Sequence, residues 1–79
     1  MRLKSFRIIL DTMDVSARQV ADVLGITPMM LSRIVNGTRE FDKEHLVILK
    51  EYFGVYFEEL KTELIRRDQE KIRAKFKGI

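Results

Sequence analysis

The sequence predicts an all-α domain built from five short helices, and three observations lead to that prediction. Apolar residues recur at intervals of three and four, as they do on the buried face of a helix. Capping residues and glycines stand at the ends of these segments. No stretch shows the alternation of polar and apolar residues that is typical of strands.

The best defined segment is residues 16–37, which predicts two short helices joined by a glycine turn. Ser16 and Gln19 have the spacing of a capping box. Gly25 suits the left-handed residue that ends the first helix. Thr27 is placed to cap the second helix, with a proline directly after it. Two helices that cross over such a turn form a helix-turn-helix.

The flanking segments supply the other three helices. The first has an apolar stripe that begins at Leu3, and it ends near Asp14. Asp42 caps the fourth helix and Gly54 stops it. The fifth helix follows Tyr56, with acidic residues in its first turn.

The net positive charge of the chain is concentrated in its C-terminal part. The net charge is +3; residues 61–79 hold seven Lys or Arg and three Asp or Glu, whereas residues 1–60 hold eight and nine. We therefore divide the 79 residues into a helix-turn-helix domain, 1–64, and a helical basic C-terminal extension, 65–79. The cations of the extension can bind nucleic acid or form a solvated helix face.

Several function classes have little support in the composition. The chain has no cysteine, which fits a cytoplasmic protein, and no apolar run long enough to cross a membrane. His45 is the only histidine, and we interpret it as a surface residue, not a general base. No phosphate-binding glycine loop is present. We predict no enzyme activity, no metal site and no cofactor.

The closing residues 32–37, SRIVNG, resemble the SRIENG ending of the phage-repressor (Cro/C1, or XRE) family. The apolar spacing, the small Ala21 and the turn glycine match that family too. The resemblance covers residues 3–64. It implies a five-helix, lambda-repressor-like fold whose second motif helix lies in the major groove of double-stranded DNA.

The resemblance implies three sets of site residues. The base-facing set is Thr27, Pro28, Met29, Ser32 and Arg33. The phosphate-contacting set is Ser16, Arg18, Asn36, Thr38, Arg39 and Lys43. A homodimer through the fifth helix would use Tyr56, Phe57, Ile65, Ile72 and Phe76. Purely structural interpretations stay open: Ser16 and Thr27 as caps only, and Arg33 as a solvated or phosphate-bound side chain.

Departures from the family pattern keep other functions open. Ala17 stands where the family has a phosphate-binding glutamine, and Pro28 and Met29 stand where it has polar base readers. Val35 replaces a glutamate. The leading prediction is a sequence-specific DNA-binding transcriptional regulator of phage, plasmid or bacterial type. One alternative is a protein-interaction module of antirepressor type that binds its partner through Met29 and Met30; another is a nonspecific nucleic-acid binder that uses the basic tail.

Overall fold

The computed structural model describes residues 2–77, and these form five α-helices and one short 3-10 turn. The helices are α1 (Lys4–Met13), α2 (Ala17–Leu24), α3 (Pro28–Asn36), α4 (Lys43–Phe53) and α5 (Phe57–Lys77), with the 3-10 turn at Gly54–Tyr56. No strand occurs between residues 2 and 77. The prediction of an all-α fold with five helices is confirmed.

Local signals set the ends of α2 and α3 as predicted. Ser16 Oγ accepts a hydrogen bond from the Gln19 N–H, and Gln19 Oε1 accepts one from the Ser16 N–H, which completes the capping box. Gly25 ends α2 in a left-handed conformation at φ 71°. Thr27 Oγ1 accepts a hydrogen bond from the Met30 N–H at the start of α3. These caps fix the angle at which α3 leaves the turn.

One apolar core joins all five helices. Its buried residues are Leu3, Phe6, Ile9, Leu10, Val20, Ala21, Leu24, Leu31, Ile34, Phe41, Leu49, Phe53, Phe57 and Leu60. Val35 packs against this core, as expected for an apolar residue in place of a glutamate. Burial of these side chains supplies the main driving force for the fold.

Helix α5 runs without a break from Phe57 to Lys77, as predicted for a fifth helix that continues into the basic C-terminal extension. The last two residues of that extension, 78 and 79, and the first residue of the chain lie outside the described residues. Arg67, which the sequence suggested was solvated or bound to nucleic acid, is 1% exposed. The core therefore extends past residue 64 to a buried guanidinium.

Candidate nucleic-acid interface

The outward face of α3 carries all five of the residues that were predicted to face bases. Thr27, Pro28, Met29, Ser32 and Arg33 are exposed. Met29 is 66% exposed, so its apolar side chain is available for a contact on this face. Met30 is half-buried and packs against the core, because it lies on the other side of the helix.

Side-chain contacts order this face into two rows. Met29 and Arg33 lie one turn apart, and Arg33 Nη2 donates to Met29 Sδ at 3.7 Å. Asn36 Nδ2 donates to Ser32 Oγ at 3.5 Å along the neighbouring row. Residues four apart on a helix share a face, so the two side chains of each pair can contact the same ligand surface.

A groove of about 530 Å³ runs beside α3, and its wall contains basic residues that were not among the predicted site residues. It is lined by the second row of α3, by Ala17 at the start of α2 and by the N-terminal part of α1. The basic residues on its wall are Arg2, Lys4 and Arg7, all of them exposed. Lys4 and Arg7 lie at the start of α1 and Arg2 just before it, and only this spacing was visible in the sequence. The start of α1 is held beside α3 by a hydrogen bond of 2.9 Å from the Leu3 N–H to the carbonyl oxygen of Val35, and this contact between distant residues was not visible.

The residues predicted to contact phosphate fall into three structural situations. Arg18, Asn36 and Arg39 are exposed on and around the helix-turn-helix. Ser16 is engaged in the capping box, and the Thr38 N–H and hydroxyl both donate to the carbonyl oxygen of Arg33. Thr38 thus closes the C-terminal end of α3, a role that its position directly after Asn-Gly could have suggested.

Lys43 is separated from the α3 groove. It lines a second groove, of about 420 Å³, between α4 and α5. Apolar residues and charges of both signs line the rest of this groove, namely Leu46, Val47, Phe57, Leu64 and Ile65 with Lys50, Lys61, Glu58 and Asp68. The structure brings Lys43 together with these residues and not with Ala17 or Pro28.

The residues predicted to form a dimer fall into an exposed group and one buried residue. Tyr56, Ile65, Ile72 and Phe76 are exposed apolar side chains along one stretch of chain. Phe57 is 8% exposed and belongs to the core of the single chain. The 3-10 turn brings the start of α5 back against α4, which buries this ring. We therefore remove Phe57 from the predicted dimer surface.

The C-terminal end of α3 is held by α5. Arg67 Nη1 donates to the carbonyl oxygen of Ile34 at 2.6 Å, and Arg67 Nη2 donates to Glu40 Oε2 at 3.2 Å. Lys71, one turn further on, forms an ion pair with the other carboxylate oxygen of Glu40. Burial lowers the pKa of Arg67, and the negative charges of Asp68 and Glu63 act in the opposite direction.

His45, the histidine of the chain, has a structural role. Its Nδ1 accepts a hydrogen bond from the Asp42 N–H at the start of α4, so the histidine caps this helix.

Between residues 2 and 77, no group of His, Asp and Glu side chains is placed to hold a metal ion. Within the same stretch, the helices lack the length or the apolarity needed to cross a bilayer.

Two capped helices, α2 and α3, that pack together across the turn at Gly25 define a helix-turn-helix domain. A family model described as helix-turn-helix matches residues 6–60, more than half of the chain. The chain belongs to this Cro/C1-type (XRE) family of DNA-binding helix-turn-helix regulators. No curated protein and no solved structure matches the chain significantly.

Proposed function

We propose that this protein is a sequence-specific DNA-binding transcriptional regulator of phage, plasmid or bacterial type, with α3 inserted in the major groove. The observation that carries the proposal is the outward face of α3, where Met29, Ser32 and Arg33 are exposed on a helix capped at both ends. Arginine can bind guanine O6 and N7 bidentately, and a methionine side chain can contact a thymine methyl group. Arg33 is the main base reader in this proposal.

Phosphate contacts complete the proposed interface. The N-terminal amides of α2, exposed Arg18 and Arg39, and the cations on the groove wall surround α3. Helix N-termini and basic side chains are the usual phosphate ligands. Since Ala17 offers no side-chain hydrogen bond, the cations of α1 take over part of the electrostatic contribution to binding.

The protein would bind as a homodimer on a two-fold-related site. Its half-sites would be about 34 Å apart, one turn of the double helix. Tyr56, Ile65, Ile72 and Phe76 are exposed in the single chain and suit a contact between two copies. A monomeric mass by light scattering at high protein concentration would refute this part of the proposal.

The decisive experiment is fluorescence anisotropy with pooled duplexes from the neighbourhood of the gene, at low and at moderate salt. Tight binding to a subset that survives moderate salt supports the proposal. Weak binding to every duplex that vanishes with salt indicates phosphate contacts alone. Arg33→Ala should lower affinity for the preferred duplex about tenfold while helicity stays unchanged.

A second candidate function rests on the exposure of Met29. A protein-interaction module would use this adaptable apolar side chain as a contact for a partner protein. Met29→Lys separates the two functions: it should preserve or raise DNA affinity if α3 enters the groove, and abolish a protein complex if Met29 is the contact. Met30 gives no clean test, because it packs against the core.

A further inference from the structure

Two side chains of α5 hold the segment that follows α3, although neither belongs to the stretch matched by the family. Arg67 and Lys71 lie one turn apart, and both contact Glu40 in the connection between α3 and α4. Arg67 also binds the carbonyl oxygen of Ile34. The family match ends at residue 60.

The chemistry of these contacts suits the end of a helix. Ile34 contributes one of the last four carbonyl groups of α3, which lack a normal helical partner. A cation at this end is favourable, because the helix dipole places partial negative charge there. The planar guanidinium donates to the carbonyl and to the carboxylate from two different nitrogens held in a fixed fork, whereas the donors of an ammonium group share a single nitrogen.

The segment held in this way is the one that carries predicted phosphate contacts. Asn36, Thr38 and Arg39 lie between Ile34 and Glu40, the two points that Arg67 fixes. An unpaired Glu40 carboxylate would repel a phosphate backbone next to Arg39. Its pairing with two cations removes this repulsion and orders the connection before any ligand arrives.

We propose that Arg67 and Lys71 are positioning residues for the DNA interface: they act through Glu40 and Ile34 on residues 36–39, without touching DNA themselves. This inference rests on the proposed function. It gives the C-terminal part of α5 a role that differs from phosphate binding by a basic tail. It also couples α5 to DNA, since a ligand that binds the ordered form of residues 36–39 more tightly also favours the contacts of Arg67.

The test uses three variants of the full chain. Arg67→Lys keeps the charge but loses the fork, and Lys71→Gln removes one contact with Glu40. Lys75→Gln is the matched control, because Lys75 is an exposed lysine one turn beyond Lys71 on the same helix. A tail that binds phosphate directly predicts equal losses for both glutamine variants, with a shallower salt dependence in each.

The first measurement is hydrogen exchange at the amides of Gly37 and Thr38 without DNA. These amides donate to the carbonyls of Ile34 and Arg33 and so report whether the end of α3 is closed. We expect faster exchange in Arg67→Lys and in Lys71→Gln, with the Lys75→Gln control unchanged. Unchanged exchange in the first two variants would overturn the inference whatever the outcome with DNA.

The second measurement is affinity for the duplex that wild-type protein prefers. We expect a loss of about fivefold in Arg67→Lys and about twofold in Lys71→Gln, with none in the control, from coupling between the two sites. Equal losses in both glutamine variants, or wild-type affinity in Arg67→Lys, would refute the positioning role while leaving the proposed function intact. Failure of the wild-type protein to bind any duplex would refute the proposed function and this inference with it.

Discussion

Glu63 Oε1 accepts a 2.6 Å hydrogen bond from the N–H of Ser5, so α5 supplies the N-terminal cap of α1 from 58 residues away. Glu63 Oε2 accepts a second bond, of 3.1 Å, from the N–H of Lys4. Leu3, the residue at the capping position, offers no side-chain acceptor. One carboxylate thus satisfies two of the amides that a helix start leaves unpaired.

We predict that Glu63→Gln destabilises the protein by about 1 kcal/mol, because an amide lacks the negative charge that favours a helix N-terminus and has only one acceptor oxygen. Urea denaturation followed by circular dichroism measures this difference in unfolding free energy. Glu70→Gln is the control, since Glu70 is exposed in the middle of the same helix. Equal effects of the two substitutions would show that Glu63 contributes no capping energy.

Two substitutions of Arg67 can separate the stability that comes from its packing from the stability that comes from its polar contacts. Arg67→Ala removes a buried stem together with the hydrogen bonds to Ile34 and Glu40, and we expect it to cost about 3 kcal/mol. Arg67→Met keeps most of the packing and should cost about 1 kcal/mol or less, because Glu40 stays half-exposed and paired with Lys71, and the Ile34 carbonyl still accepts from the Gly37 N–H. Both values come from urea denaturation, with the exposed neighbour Arg66→Ala as a control that should stay within about 0.5 kcal/mol of wild type. Equal losses for alanine and methionine would mean that the polar contacts dominate.

The local parts of this fold could be predicted from the sequence, whereas the contacts between distant parts could not. The caps at Ser16 and Thr27 and the turn at Gly25 depend on residues within four positions of each other, and spacing alone predicts them. Glu63 and Arg67 act on partners 58 and 33 residues away. Helical spacing does place Arg67, three residues after Leu64, on the buried stripe of α5, but it does not indicate which distant groups the side chain reaches.

The candidate site likewise has parts that could be predicted from the sequence and parts that could not. The exposed face of α3 was predictable from helical spacing, since the inward positions are apolar and the rest must face out. The cations of α1 on the groove wall depend on how α1 packs beside α3, which spacing does not encode. The burial of Phe57 was predictable as well, because Phe57, Leu60 and Leu64 lie on one stripe of the fifth helix.

Two glycines should differ in their tolerance of substitution. Gly25 lies at φ 71° and ψ 29°, a left-handed conformation that asparagine also adopts, whereas Gly54 lies at φ 57° and ψ −125°, which is almost restricted to glycine. No heavy atom lies within 4 Å of an added Cβ at either position, so backbone strain decides the cost. We expect Gly25→Ala to cost about 1 kcal/mol and Gly54→Ala about 2 kcal/mol.

Asparagine variants sharpen this comparison. Gly25→Asn should recover part of the loss seen with alanine, and Gly54→Asn should recover none, because asparagine relieves strain only in the left-handed helical region. Thermal unfolding of the four variants gives the order directly. Recovery by asparagine at Gly54 would mean that the 3-10 turn relaxes to another conformation at little cost.

The last prediction distinguishes the cations on the groove wall from the base-facing arginine. Lys4→Gln removes one cation beside α3 while leaving the backbone N–H that Glu63 accepts. If Lys4 contacts phosphate, affinity should fall by a similar factor for every duplex, and the slope of log affinity against log salt should become shallower by about 1. Arg33→Ala should instead lower affinity mainly for the preferred duplex. Lys50→Gln is the charge-matched control, because Lys50 lines the groove between α4 and α5. A shallower salt slope in the Lys50 variant, with none in the Lys4 variant, would move the phosphate contact to the α4–α5 side of the domain.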